Sequence, residues 1–212
     1  MKIKLNKQLD KEVYVDFREG STGGVDFGKI ILRDHPEIDK DNYVKYIDNF
    51  YTVHKTELTN ILVETKKCFD DVEGVLFSEL IKYFGHDYSK DNYTCYLSIF
   101  DCNPRYIEKK CFQVYYRRPY HLRKEVIAHE LTHFAFYDFC HGHGFKDTKE
   151  LWELSEIFNV LFLNILSIQK AIGAEELLFY PALKEKYEKI KKLWDQNCDA
   201  EKFIYASIKL LQ

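Results

Sequence analysis

Along the chain, the spacing of apolar positions moves from strand-like to helical, back to strand-like, and then to helical for the rest of its length. Residues 2–6, Lys-Ile-Lys-Leu-Asn, alternate apolar and polar as a short strand does. Residues 20–28 hold four of the nine glycines and predict a turn-rich loop. From about residue 40 to 67, Tyr43, Tyr46, Ile47, Phe50, Tyr51, Leu58, Ile61 and Leu62 follow the three-four spacing of one helix face. A second helix is expected over about 71–84, ending near Gly85. Two β-branched and aromatic runs, 93–100 and 112–116, predict strands, with a turn at Asp101-Cys-Asn-Pro-Arg105 between them. Beyond residue 121 the pattern is helical throughout, with spans at 121–139, 147–171, 174–193 and 199–211. Breaks are expected near Gly142 and Gly144, Gly173 and Asn197. With no repeat and no linker-like stretch, the reading is one α+β domain over 1–212. Its mixed part covers about 1–120 and its helical part about 121–212.

Charge narrows the classes of partner. Lys and Arg total 31 against 34 Asp and Glu, a net charge of −3, which argues against a dedicated nucleic-acid binder. The amino-terminal twenty residues show no secretory signal. The most apolar stretch, 160–168, is interrupted by Asn164 and too short to span a bilayer. None of the six cysteines forms a Cys-x-x-Cys pair, and without a visible signal they read as reduced thiols of a cytoplasmic protein, with no membrane partner expected. The 16 Tyr, 16 Phe and 2 Trp are a surplus of rings whose hydroxyls need partners.

One motif carries chemistry: His129-Glu130-Leu131-Thr132-His133, the HExxH pattern. Residues four apart on a helix lie about 40° apart around its axis, so both imidazoles can reach one metal ion. Glu130 points to one side, where it can touch a metal-bound water without ligating the metal. Val126, Ile127, Ala128, Leu131, Phe134 and Ala135 make the surrounding helix apolar, as a buried helix requires. Chance would produce the motif only about 0.03 times in a chain of this composition. A catalytic zinc site needs a third protein ligand. Three sources are open: Glu156 on the next helix, Glu153 one turn before it, and His143 (or His141) in the glycine-containing turn His141-Gly-His-Gly-Phe145.

The segments Tyr96–Arg105, Phe112–Tyr116, His129–Asp138 and Trp152–Asn164, with the later Tyr180-Pro181 pair and Trp194, resemble uncharacterised bacterial HExxH proteins of the gluzincin type. The resemblance covers about residues 93 to 205, and the first 90 residues match nothing of that kind. It implies a zincin-like metallopeptidase fold, peptidase activity on a peptide or protein, and one Zn2+ per chain held by His129, His133 and Glu156. The turn Gly142-His143-Gly144 is also similar to that of SprT-like (Spartan-type) proteases, which act on DNA-associated proteins. That resemblance would make His143 the third ligand. The spacing here is shorter, and the basic cluster is small: Arg117, Arg118, Arg123 and Lys124. A non-catalytic zinc-binding regulatory module is the remaining class, and the retained Glu130 speaks against it.

In the mechanism these residues predict, zinc lowers the pKa of its bound water to about 7 and Glu130 accepts the proton as the water attacks a peptide carbonyl. Tyr137, one turn past His133, is the expected donor to the developing oxyanion, ahead of His141, His143, Tyr180 and Arg105. Glu153 or Asp138 would orient the ligand imidazoles. The strand containing Phe112, Val114 and Tyr115 is expected at a sheet edge, where a substrate peptide could add as a further strand. Several rings between Tyr115 and Phe145 are expected to surround the zinc.

Overall fold

The computed structural model describes residues 1–195 and 199–212, so the break expected near Asn197, and Cys198 with it, lie outside the described residues. The chain is mixed α+β. It forms two compact units, one of residues 1–69 and 92–123 and the other of 70–91 and 124–212.

The first unit is built on a four-stranded sheet. Strands β1 (Lys2–Leu5), β4 (Thr94–Ser98), β5 (Arg105–Tyr106) and β6 (Cys111–Tyr115) take the order β1-β4-β6-β5. The β1–β4 and β4–β6 pairs are parallel and β5–β6 is antiparallel. The turn expected at 101–105 leads into β5, and Asn103 there adopts a left-handed conformation. Strand β6 is therefore internal and not at an edge. Thr94–Ser98 pair along its whole length on one side, Arg105 and Tyr106 pair with Phe112 and Cys111 on the other, and all five of its residues are buried. Beyond β5 the same side stays occupied. Gln113 donates its N–H to Pro104 O at 2.9 Å, and Tyr115 donates its N–H to Asn103 Oδ1 at 3.1 Å. With those donors engaged, strand addition along Phe112, Val114 and Tyr115 has no free edge, and that expectation is corrected.

Two helices precede the segment expected to hold the first one. Asn6 caps α1 (Lys7–Phe17) by accepting from Leu9 N, and Asp26 caps α2 (Phe27–Asp34) by accepting from Lys29 N. The glycine-rich loop is a two-stranded hairpin, β2 (Ser21–Thr22) and β3 (Val25–Asp26), turned by Gly23 and Gly24 at positive φ. The long helix expected from 40 to 67 is divided at His54 into α3 (Tyr43–Val53) and α4 (Lys55–Phe84). Helix α4 then absorbs the helix expected at 71–84, because no Gly or Pro interrupts residues 68–71. Val13, Tyr14, Ile31, Ile47, Phe50, Leu58, Leu97 and Tyr116 lie in this unit's core.

Inside that core sits a charged group. Asp10 is fully buried and accepts from Tyr51 Oη (2.6 Å), Ser98 Oγ (2.7 Å), Ile99 N (3.2 Å) and Gln113 Nε2 (3.2 Å). Burial raises its carboxyl pKa to about 6 despite these four donors.

The second unit is helical among its described residues. Helix α5 (Tyr120–Gly142) begins in the first unit and carries the HExxH motif in the second. Thr148 caps α6 (Lys149–Leu163), and a break at Asn164 separates it from α7 (Leu166–Ile172), which ends on left-handed Gly173. The continuous helix expected over 147–171 is thus two, and the span expected at 174–193 is helical only over α8 (Lys184–Ile190) and flanking 3-10 turns. Asp199 caps the last helix, α9 (Ala200–Leu211). The ring surplus builds this unit's interior. Phe158 of α6 lies 5.2 Å from Phe136, 5.4 Å from Tyr83 and 5.8 Å from Trp194, centroid to centroid. No single helix among the described residues is long and apolar enough to cross a membrane.

Candidate metal centre

Helix α5 is held at its start by Arg123, whose guanidinium donates to Thr65 Oγ1 at 3.1 Å and to Glu64 Oε2 at 2.7 Å within the first unit. Lys124 donates to Ala171 O at 2.9 Å within the second. The other members of the small basic cluster are engaged as well: Arg118 donates to Asp101 at 2.7 Å and Arg117 lies over the Tyr116 ring. From His129 onward, the helix turns Ala128, Leu131, Phe134 and Ala135 into the interior, and the i, i+4 spacing stacks His129 and His133 on one face.

Helix α6 faces them. The Nε2 atoms of His129 and His133 are 3.0 Å apart; Glu156 brings Oε2 to 3.6 Å from the first and Oε1 to 3.5 Å from the second. Three turns of sequence logic converge here. Thr148 starts α6, the apolar residues around Glu156 bury the helix, and Asn159, one turn beyond Glu156, donates to His129 O at 3.1 Å. His133 is fully buried and Glu156 nearly so, while the His129 side chain keeps 17% exposure, so solvent reaches the cluster at His129. Glu130 is buried beside them at 4% exposure.

The electrostatics favour a positive charge at this point. Burial alone would depress the His129 pKa. The charge of Glu176, hydrogen bonding to Glu156 and Glu176 and the charge of Glu130 outweigh it and hold that pKa well above the usual histidine value. Two imidazole nitrogens and a carboxylate, with ligand atoms all within 4.8 Å of one another, form a donor set that suits zinc.

Among the alternatives, the structure does not bring His143 or Glu153 to this cluster. His143 is exposed, its Nδ1 2.8 Å from Phe139 O and its ring stacked on Phe139 at 4.0 Å. His141 pairs with Asp147 at 2.9 Å. Glu153 accepts from Lys186 and lies within 4.0 Å of Lys149, so it neither ligates nor orients an imidazole. Tyr137 is buried, its hydroxyl 3.3 Å from Ser155 Oγ and its ring centroid 6.4 Å from that of His133 and 5.8 Å from that of His141. Tyr180 packs edge-on against Trp152, and Arg105 lies in β5 of the other unit. Cys140 is fully buried, and burial pushes its thiol pKa up, away from the thiolate a ligand needs. Of the rings expected around the zinc, Tyr115 and Tyr116 belong to the first unit's core and Phe145 packs on Tyr205.

One residue in contact with this cluster has no counterpart in the sequence expectations. Glu176, in the segment after α7, accepts from His129 Nδ1 at 2.9 Å. The Glu175-Glu176 pair just past the Gly173 break is a weak sequence signal for it, since nothing in the spacing ties it to His129.

Compared with protein-family models, with curated proteins and with solved structures, the chain matches none.

Proposed function

We propose that this protein is a zinc-dependent peptidase with a zincin-like arrangement, in which His129, His133 and Glu156 hold the metal and Glu130 is the general base. The observation that carries the reading is the convergence of both motif histidines with a carboxylate from a separate helix, while Glu130 is buried and near enough for its charge to act on His129. Zinc in such a site supplies a Lewis acid and brings a water molecule's pKa to about 7. Glu130 takes one proton from the attacking water as its oxygen bonds to the peptide carbon, then delivers a proton to the amide nitrogen as the C–N bond breaks. Its buried carboxylate sits close enough to His129 for its charge to act there, and the helix fixes it next to the ligands. His143 is tied to the backbone of its own helix, which favours this ligand set over the SprT-like one.

The test compares zinc-loaded wild type with Glu130→Gln in a protein mixture, reading new amino termini by mass spectrometry. Both should retain zinc, and only the wild type should generate new termini, in a manner abolished by a chelator. A wild type that generates none, or a variant that generates as many, overturns the proposal.

A further inference from the structure

Glu176 lies outside the motif, on neither of the helices that carry the ligands, yet it touches one of them. Its Oε1 accepts from His129 Nδ1 at 2.9 Å, on the side of the ring opposite the nitrogen that faces His133 and Glu156. Its backbone is fastened twice to Asn164: Glu176 N donates to Asn164 Oδ1 at 3.0 Å, and Asn164 Nδ2 donates to Glu176 O at 2.9 Å. Asn164 closes α6, the helix that also contributes Glu156 and sends Asn159 to His129 O. One helix therefore sets the ligand carboxylate, the backbone of the motif helix and the origin of the Glu176 side chain.

Stability does not explain this arrangement. Glu176 is 5% exposed, and among the described residues its Oε2 has no hydrogen-bond partner. Burying a carboxylate with one oxygen unsatisfied is unfavourable, and an apolar side chain in that place would serve packing better. What the carboxylate accomplishes is at the ring. It holds a proton on Nδ1, so Nε2 is the atom that can give up its proton and direct a lone pair at the cluster, and it prevents the ring from rotating away.

We propose that Glu176 is a positioning residue of the metal centre, holding the His129 imidazole in the tautomer and orientation that present Nε2 to the metal. This rests on the zinc reading above and adds a residue that the motif does not contain.

The test measures Zn2+ affinity by competition with a chromophoric chelator, and visible absorption after loading with Co2+, for wild type, Glu176→Ala, Glu176→Gln and Glu175→Ala. Glu176→Ala should bind zinc about 10–100-fold more weakly and shift the Co2+ bands. Glu176→Gln, which keeps the shape and an acceptor oxygen but loses the charge, should fall between it and wild type. Glu175→Ala removes an exposed neighbouring charge and should match wild type. The near-isosteric Gln variant keeps the question answerable if the Ala variant fails to fold. Wild-type affinity and wild-type Co2+ bands in both Glu176 variants overturn the role of Glu176 while leaving the zinc site standing. A wild type that binds no metal overturns both.

Discussion

Replacing Asp10 by Asn should change how stability depends on pH, by an amount set by the burial of its carboxyl. Asp10 accepts four hydrogen bonds, all from uncharged donors, and its pKa rises from an ordinary 3.8 to about 6. Between those two values the folded protein keeps a proton that the unfolded chain has released. The stabilising contribution of this group is thus complete below the unfolded value and is lost as pH rises through about 6. A shift of about 2 pKa units corresponds to about 3 kcal/mol. Asn cannot titrate, and its amide can be accommodated. The Ser98 and Tyr51 hydroxyls can rotate to accept, and Gln113, whose Oε1 has no hydrogen-bond partner among the described residues, can turn its amide over. Urea unfolding of both proteins, without metal, at about pH 3.5 and about pH 7.5 isolates the effect, because every other titrating group is common to the pair. The stability of Asp10→Asn relative to wild type should be about 3 kcal/mol more favourable at the higher pH. A difference that stays constant across this range would refute the reasoning.

Two further outcomes follow from specific contacts. Glu156→Ala should release zinc while His143→Ala retains it at wild-type affinity, read by metal analysis after dialysis; the reverse pattern would restore His143 as a ligand. Gly28→Ala should lower stability by about 1–3 kcal/mol in urea unfolding, because a Cβ there meets the backbone carbonyl of Arg18, which no rotamer change can move aside.

The motif helix was the most legible part of the chain, because HExxH places its own ligands by helix geometry and its flanks are apolar. Glu156 was legible as one of several candidate third ligands, and the packing that brings it and not Glu153 to the two histidines is a tertiary matter: Lys186 draws Glu153 away. Glu176 was not legible, since it lies 43 residues beyond His133 in a segment without regular structure, and a contact of that kind leaves no period in the sequence. The first two helices were hidden for different reasons. In α1 the buried stripe includes Asp10, a charged residue that breaks the apolar pattern, and in α2 the helix starts within a run read as loop because of its glycines. The break at Asn164 carries neither Gly nor Pro, so only the folded backbone reveals it. Strand β6 had the composition of either an edge or an internal strand; the hydrogen bonds from Gln113 and Tyr115 decide for the interior.

Metal content tests the central claim most directly. The protein, stripped with chelator, reconstituted with Zn2+ and freed of excess, should carry about one zinc ion per chain, and His133→Ala treated in the same way should carry almost none. A reconstituted wild type that retains no zinc, or a His133→Ala variant that retains as much as wild type, would contradict the account.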